Sequence, residues 1–223
     1  MDALGRSIDA LLPQTQCTRC GYADCATYAD AIASGDAAIN QCPPGGAEGV
    51  ARLAHLTGLE EQPLNPANGS ELPRALAVID EDWCIGCTLC LAACPTDAII
   101  GGNKQMHTVL EQYCTGCELC VPVCPVDCIA METIAPPRTG WDAWSQAEAD
   151  EARARYLFHS YRCKRDVDEN DEMLEKKAEA KRADLEHQTH HGDAAELARK
   201  RAVIEAALAR ARARRGAGNE PGS

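Results

Sequence analysis

Large aromatic rings, long apolar runs and nucleotide-binding fingerprints are scarce or missing in this sequence. Its 223 residues include 3 Trp, 5 Tyr and 1 Phe, too few rings to fill the core of one or two ordinary domains. No run of 18 apolar residues occurs and residues 1–12 have no signal-peptide core, so we expect a cytoplasmic protein. No glycine-rich nucleotide or flavin fingerprint is present, which predicts no nucleotide cofactor. The six histidines are scattered, so no catalytic site is predicted.

Cysteine is abundant instead, with 14 residues in the chain. In a reducing cytoplasm, closely spaced cysteines favour metal ligation, and a disulfide framework is the minor alternative. Metal clusters would also occupy the core space that the few aromatic rings leave. We therefore expect the cysteines to build the core.

Charge divides the chain into two unlike parts. Residues 1–135 contain 17 acidic and 5 basic side chains, whereas residues 136–223 contain 17 of each. The acidic first part disfavours nucleic acid as its partner and favours an acidic carrier. Turn-forming residues 62–74 and 135–140 interrupt the sequence. These breaks predict a helical cluster domain at 1–61, a linker at 62–74, a second cluster domain at 75–135 and a helical charged extension at 136–223.

The second predicted domain contains an internal repeat. WCIGCTLCLAACPTDAI (83–99) and YCTGCELCVPVCPVDCI (113–129) align at a shift of 30 residues, with every Cys, Gly and Pro of the first copy repeated in the second. β-prone stretches at 75–80, 107–112 and 128–134 flank the copies. The fold class predicted is α+β, with a small helical 4Fe–4S domain, a pseudo-two-fold ferredoxin domain and an α-helical tail.

Each repeat carries the spacing C-x2-C-x2-C-x3-C-P, the signature of bacterial ferredoxins that bind two [4Fe–4S] clusters. The fourth cysteine of such a motif ligates the other cluster. The predicted ligands of one cluster are Cys84, Cys87, Cys90 and Cys124, and those of the other are Cys114, Cys117, Cys120 and Cys94. A pair of structural zinc sites is the alternative, but zinc sites use two C-x2-C pairs rather than strict triplets.

A third group reads C-x2-C-x4-C-x16-C and comprises Cys17, Cys20, Cys25 and Cys42. Four cysteines in a short helical segment beside a ferredoxin motif favour a third [4Fe–4S] cluster, with a zinc site as the alternative. We expect Cys128, which replaces Ala98 of the first repeat, to be a small buried thiol. Cys163 lies among basic residues, as a reactive thiol would, but an incidental cysteine is the preferred interpretation.

The segments IDALLPQTQC, CGYADC, INQCPPGG and the two ferredoxin motifs together resemble the B subunit of the Rnf/Rsx membrane electron-transport complex, over about residues 7–135. The resemblance implies that the third cysteine group binds a [4Fe–4S] cluster. The sequence departs from the family at Ala23-Asp24, where Pro-Gly is usual. It also does not show the family's N-terminal membrane helix, and its tail after Pro137 is additional relative to the family subunit. We therefore expect a relative that docks peripherally at the inner face of the membrane.

The predicted function is the relay of single electrons through up to three [4Fe–4S] clusters, between a reductase and an acceptor that include Rnf-like membrane subunits. The alternative is a structural or redox-sensing module whose basic helix at 194–215 contacts a partner, nucleic acid or a membrane surface. Asp193 is its predicted N-cap. His187, His190 and His191 lie before it in a turn predicted to be solvated rather than to bind metal.

Overall fold

The computed structural model describes residues 1–134, 136–185 and 194–217. They form two compact units, residues 1–159 and residues 160–223. Helices combine with two small sheets, which agrees with the predicted mixture of helix and strand. The predicted Asp193 cap and the three histidines of the preceding turn lie outside the described residues. Within the described part of the chain, no helix is both long and apolar enough to cross a membrane.

Three helices build the N-terminal segment: α1 (Ala3–Ala10), α2 (Cys25–Ser34) and α3 (Gly46–Thr57). As the sequence predicts, α2 and α3 end at glycines with left-handed backbone, Gly35 and Gly58. Asp24 accepts a hydrogen bond from the N–H of Thr27 and caps α2. This cap gives a structural role to one of the two residues that replace the family's Pro-Gly. The helices enclose a core of Ile8, Leu12, Tyr28, Ala29, Ile32, Val50 and Leu53.

The repeat folds into two antiparallel strand pairs. Strand β1 (Ala75–Ile79) pairs with β4 (Ile129–Thr133), and β2 (Ile99–Ile100) pairs with β3 (Thr108–Val109). A short helix, α4 (Leu89–Ala93), and a 3-10 turn at Glu111–Tyr113 complete the segment. Its buried core consists of Ala77, Ile79, Ala98, Ile99, Ile129 and cysteines of both motifs. Cysteine thus supplies much of the core here, as the scarcity of aromatic rings predicts.

The backbone repeats its unusual dihedral angles at the shift of 30 residues. The φ angles are +67° and +71° at Gly86 and Gly116 and +68° and +65° at Thr88 and Glu118. A Cβ on Gly116 would lie 2.5 Å from the carbonyl oxygen of Ala75. Glycine is required at this position because the neighbouring chain passes too close for any side chain.

Helix α5 (Gly140–Ala143) leads into the long helix α6 (Gln146–Ala183), whose first turns pack on the cysteine-bearing segments. Trp144 is buried and its Nε1 donates to the carbonyl oxygen of Pro13 (2.8 Å). The guanidinium of Arg74 stacks on the Trp144 ring at 4.1 Å and pairs with Glu148 at 3.0 Å. Trp144 therefore packs the start of the tail against the cysteine-bearing part of the chain.

The unit at 160–223 contains the rest of α6 and helix α7 (Ala194–Ala217). Arg212 of α7 pairs with Glu175 and Glu179 of α6, each at 2.7 Å. Leu185 and Leu208 are buried. One cation of the basic helix is thus already paired with carboxylates of the same unit.

Candidate metal-cluster sites

Five cysteines line one enclosed cavity, and four of them belong to the two C-x2-C-x2-C-x3-C motifs. Three come from the first motif and the fourth from the end of the second: Cys84, Cys87, Cys90 and Cys124. Apolar Ile79, Ile85, Val126 and Ile129 line the rest together with Cys128 and His107. We name it the His107 cavity. The four motif thiols, without Cys128, are the set that the sequence predicts for one cluster.

A second cavity repeats this arrangement with the motifs exchanged. Its cysteines are Cys114, Cys117, Cys120 and Cys94. The remaining lining includes Ala77, Thr96, Ala98, Ile99, Val109, Thr115 and Met131. We name it the Ala77 cavity. The fold therefore brings the fourth cysteine of each motif to the cavity of the other motif, so that the two sites depend on one folded unit.

The N-terminal cysteine group surrounds the start of α2. Cys25 is buried at its first position, and its thiol is close enough to Cys42, Cys17 and Cys20 for their charges to raise its pKa beyond the larger effect of burial. The pKa of Cys42 is raised in the same way by burial and then by Cys17 and Cys20. These four thiols therefore share one electrostatic neighbourhood between α2 and the turn before α3.

Burial raises the pKa of six candidate ligand thiols, namely Cys20, Cys25, Cys42, Cys90, Cys117 and Cys120. The pKa of Cys117 is raised to about 11 and that of Cys120 to about 12, chiefly because desolvation disfavours the thiolate. Cys124 differs: burial acts in the same upward sense, but N–H donors from Val126 and Cys128 outweigh it and lower its pKa. Without iron the buried thiols favour the protonated form, and bound cations would have to displace those protons.

Backbone N–H groups donate to cysteine sulfurs at equivalent places in the two repeats. The N–H of Ala98 donates to Sγ of Cys94 (3.2 Å), and that of Cys128 donates to Sγ of Cys124 (3.4 Å). In the His107 cavity, the N–H of His107 also donates to Sγ of Cys84 (3.4 Å). Such donors stabilise thiolates bound to a cluster.

The sequence reasoning missed two residues of the His107 cavity. His107 Nδ1 lies 3.2 Å from Sγ of Cys90. Cys128 was expected to be a small buried thiol; it is buried, and its Sγ also lies 3.5 Å from Sγ of Cys124. An alignment of the repeats carries the signal, since His107 replaces Ala77 and Cys128 replaces Ala98.

A buried polar chain behind the N-terminal cysteine group was also missed. Gln16 accepts a hydrogen bond from the N–H of Cys25 (2.9 Å) and donates to Gln14 (2.9 Å). Gln14 donates in turn to the backbone oxygen and carboxylate of Asp9 in α1. Both glutamines have positive φ, which no sequence pattern predicts. This chain of hydrogen bonds fixes the cysteine-bearing turn against α1.

In the part of the chain that the structure describes, no three Cys, His, Asp or Glu side chains form a group that could hold a single metal ion. A tetrahedral zinc site places all four sulfurs about 2.3 Å from one point. A cluster with several irons instead lets each thiolate bind a different iron. Each of the two cavities offers four predicted ligand thiols around an enclosed space, which fits a cluster of several irons better than a single zinc ion.

Two family models match the cysteine-bearing segments. A "4Fe-4S dicluster domain" matches residues 77–131, and a family described as "Putative Fe-S cluster" matches residues 12–44. The first covers both cavities and the second covers the N-terminal cysteine group. Both segments are thus similar to known iron–sulfur families.

Curated proteins named as the B subunit of the ion-translocating oxidoreductase complex are similar to a large part of the chain. The protein of Azoarcus sp. (strain BH72) is 63% identical over 140 residues, or 63% of this chain and 76% of the relative. That of Thiobacillus denitrificans is 60% identical over 107 residues, covering 48% and 57%. That of Alkalilimnicola ehrlichii is 55% identical over 148 residues, covering 66% and 78%. No solved structure matches.

Proposed function

Because the chain belongs to the family formed by the B subunits of ion-translocating oxidoreductase complexes, we propose that it relays single electrons through three [4Fe–4S] clusters as part of such a complex. It is an iron–sulfur electron-transfer protein, as its relatives and its 4Fe–4S dicluster domain show. The number of clusters, their ligands and the partners are the proposal. The observation that carries it is the pair of cavities in which each fourth cysteine joins the other motif.

The proposed ligands follow the three groups of thiols. The His107 cavity would hold one cluster on Cys84, Cys87, Cys90 and Cys124, and the Ala77 cavity another on Cys114, Cys117, Cys120 and Cys94. The third would bind Cys17, Cys20, Cys25 and Cys42. The matching φ angles of the repeats support a pseudo-two-fold ferredoxin domain within residues 75–135. The segments 1–61, 62–74 and 136–223 complete the proposed division of the chain.

A bound [4Fe–4S] cluster supplies a reversible one-electron change with little rearrangement of its ligands. The chain's own residues create the setting for that change. Apolar Ile79 and Ile129 exclude water from the His107 cavity, as Ile99 and Val109 do from the Ala77 cavity. N–H donors to the cysteine sulfurs disperse the thiolate charge. The residues therefore hold the redox centres and set their environment, and no bond-making step is assigned to them.

Alanine substitution of the crossing cysteines tests the ligand assignment. We expect Cys94→Ala to abolish the same electron paramagnetic resonance signal as Cys117→Ala, and Cys124→Ala the same signal as Cys87→Ala. Cys163→Ala is the matched control, because this thiol is exposed on α6, and it should leave every signal in place. If Cys94→Ala instead removed the signal lost in Cys87→Ala, each motif would bind its own cluster and the crossed assignment would be wrong.

The order of the proposed relay follows from contacts between the N-terminal segment and the repeat. Thr115, next to Cys114, donates to the carbonyl oxygen of Thr15 at 3.0 Å, two residues before Cys17. Arg19 pairs with Glu118 at 2.8 Å. Both contacts join the N-terminal cysteine group to the loop of the Ala77 cavity. We therefore place the Ala77 cluster between the N-terminal cluster and the His107 cluster.

The docking surface that we propose for a redox partner surrounds the loop of the His107 cavity. Trp83, Ile85 and Met106 are 69%, 57% and 60% exposed. The N–H of Lys104 donates to Gly86 (2.9 Å) and that of His107 to Cys84, which places the chain around Met106 beside Ile85. Asp80, Glu81 and Asp82 precede Trp83 along the chain. An apolar face with an acidic edge fits another protein of the complex that presents apolar residues edged by Lys and Arg.

Stopped-flow electron transfer to the purified partner protein tests this surface. The triple variant Asp80→Asn, Glu81→Gln, Asp82→Asn should slow association and weaken its dependence on salt, since the carboxylates steer the encounter. The control variant Glu60→Gln, Glu61→Gln neutralises exposed carboxylates just before the linker and should leave the rate unchanged. Equal rates in both variants would exclude the acidic edge as a docking determinant.

The alternative of a structural or redox-sensing module with a nucleic-acid- or membrane-binding tail is not favoured. The relatives are named as subunits of an oxidoreductase complex. In the basic helix, Arg212 is paired with Glu175 and Glu179, and Lys200 with Glu196. Part of its positive charge is thus neutralised within the same unit.

A further inference from the structure

The two cysteine-lined cavities are built from equivalent positions and differ at few of them. At the repeat shift of 30 residues, Ile79 corresponds to Val109 and Ile99 to Ile129, whereas Ile85 and Val126 of the His107 cavity correspond to Thr115 and Thr96 of the Ala77 cavity. Both threonine hydroxyls donate to backbone carbonyl oxygens, that of Thr115 to Thr15 and that of Thr96 to Tyr113. The backbone donors Ala98 and Cys128 match as well, at 3.2 and 3.4 Å from their sulfurs. Any difference between the two sites must therefore arise from the side chains that break the repeat.

The largest break is His107, which occupies the position of Ala77. Its ring is almost completely buried, with 1% of the residue exposed. Nδ1 lies 3.2 Å from Sγ of Cys90. A thiolate that binds iron accepts hydrogen bonds and cannot donate one. Nδ1–H is therefore the donor to Cys90 when a cluster is bound.

The fold makes room for this ring by a paired exchange of small and large residues. A Cβ on Gly101 would collide with the His107 ring. Gly101 corresponds by the repeat to Met131, which is the strand partner of Ala77. The His107 cavity thus combines a large His107 with a small Gly101, and the Ala77 cavity combines a small Ala77 with a large Met131. The exchange conserves space while it places an imidazole ring in the His107 cavity and none in the Ala77 cavity.

Cys128 is a second break on the same side. It replaces Ala98, and its Sγ lies 3.5 Å from Sγ of Cys124, a proposed ligand of the same cluster. A thiol is a weak donor, so its effect on the bound sulfur should be smaller than that of the imidazole. His107 and Cys128 therefore bring two donors to ligand sulfurs of the His107 cavity. The Ala77 cavity has alanine at both positions, and the hydroxyls of its Thr96 and Thr115 donate to backbone oxygens instead.

We propose that His107, assisted by Cys128, is a positioning and tuning residue that gives the cluster of the His107 cavity a higher reduction potential than the cluster of the Ala77 cavity. This inference rests on the cluster assignment proposed above. A hydrogen bond to a ligand sulfur stabilises the extra negative charge of the reduced cluster more than the oxidised one. Electrons that arrive at the Ala77 cluster would then move on to the His107 cluster, next to the proposed docking surface.

A redox titration of the intact chain, followed by electron paramagnetic resonance, tests the proposal. His107→Ala should make reduction of one cluster harder by roughly tenfold in its equilibrium constant, a shift of about 59 mV for a one-electron couple, and leave the other two unchanged. His107→Asn retains an N–H near Nδ1 and should keep most of the wild-type potential. A purely structural role for His107 would give equal shifts in both variants, and unchanged potentials in both would also overturn the proposal.

Cys128→Ala provides a second variant, since it creates the residue that the other repeat already tolerates at Ala98. It should lower the potential of the same cluster by a smaller amount. If His107→Ala loses its cluster, this variant and His107→Asn decide the question, and an unchanged potential in Cys128→Ala together with a fall in His107→Asn would contradict the proposal. Absence of clusters from the wild-type chain would instead refute the proposed function itself, so the two failures are distinguishable.

Discussion

At the scale of single residues, the two motif glycines are fixed by backbone packing as well as by the loop around a cluster. Gly116 has φ +71° and touches the backbone of Ala75, and Gly86 has the same conformation against the backbone near Gln105. Gly21, which follows Cys20, also has positive φ but has no atom within 4 Å of a would-be Cβ. Comparing Gly116 with Gly21 therefore separates the backbone strain of a positive φ from the steric clash of an added Cβ.

We expect Gly116→Ala to destabilise the protein more than Gly21→Ala. Positive φ alone costs an L-residue about 1–2 kcal/mol, and Gly116→Ala adds a Cβ 2.5 Å from a carbonyl oxygen that strand β1 holds in place. Denaturant unfolding of the two iron-loaded variants measures the difference. Equal losses of unfolding free energy would mean that the neighbouring strand yields, contrary to the packing argument.

Proton release on cluster assembly is a second prediction at this scale. Burial raises the pKa of Cys117 and Cys120 to about 11 and 12, so these thiols carry protons at pH 7. A raised pKa means that assembly must release the protons and becomes more favourable as pH rises from 6 to 9. Anaerobic reconstitution at several pH values, followed by cluster absorbance, should show this increase. A yield that is independent of pH would contradict it.

How far the sequence predicts the site also becomes clear at individual residues. The cysteine spacing predicts the crossed sets because the motif encodes local loop geometry, and the structure brings those sets together. The contact of His107 with Cys90 joins residues 17 apart through strand packing, and that of Arg74 with Glu148 joins residues 74 apart. The repeat alignment marks His107 as a replacement of Ala77 but does not show its contact with Cys90, and no pattern indicates the contact of Arg74 with Glu148. Both contacts are therefore visible only in the fold.

At the scale of elements, the start of α6 fastens the helix to the cysteine-bearing segments. Glu148 accepts hydrogen bonds from the N–H and the hydroxyl of Ser145, each at 2.8 Å, and pairs with Arg74. Burial alone would raise its pKa, but these donors lower it below the usual value. Arg74 in turn donates to the backbone oxygen of Cys114, so this cap connects α6 to a proposed ligand loop.

We expect Glu148→Gln to lower the unfolding free energy by about 1 kcal/mol at pH 7, because it removes the charge that pairs with Arg74 while an amide oxygen still accepts from Ser145. The pKa of Glu148 is lower in the folded state than in the unfolded chain. The carboxylate therefore contributes fully to stability above the unfolded-state pKa of about 4.5, and this contribution is lost as the pH falls through the lower folded-state pKa. Thermal unfolding at pH 7 compared with Glu151→Gln, an exposed glutamate on the same helix, measures it. Equal melting temperatures of the two variants would exclude a role for the cap.

At the scale of the whole molecule, the clusters replace the apolar core that the sequence lacks. The repeat encloses few large side chains, and cysteines make up much of its buried interior. Each cavity takes cysteines from both motifs. Loss of one cluster therefore also releases a cysteine of the motif that supplies three ligands to the other cluster. Folding of the repeat and binding of iron should therefore be coupled.

Removal of iron should unfold the cysteine-bearing segments and spare the helices of residues 160–217. Circular dichroism after anaerobic chelation should retain a helical signal from α6 and α7, while trypsin should cleave within 1–134. Cysteine-blocked protein serves as the control for chelator effects. Protection of residues 1–134 equal to that of the iron-loaded chain would show that the fold does not depend on clusters.

The most direct test of the central claim is a redox titration of the anaerobically purified protein, followed by low-temperature electron paramagnetic resonance. The account predicts reversible one-electron signals from three [4Fe–4S] clusters, with magnetic coupling between the two that share the repeat. Fewer than three reducible clusters, or zinc in place of iron at the twelve cysteines, would contradict the relay.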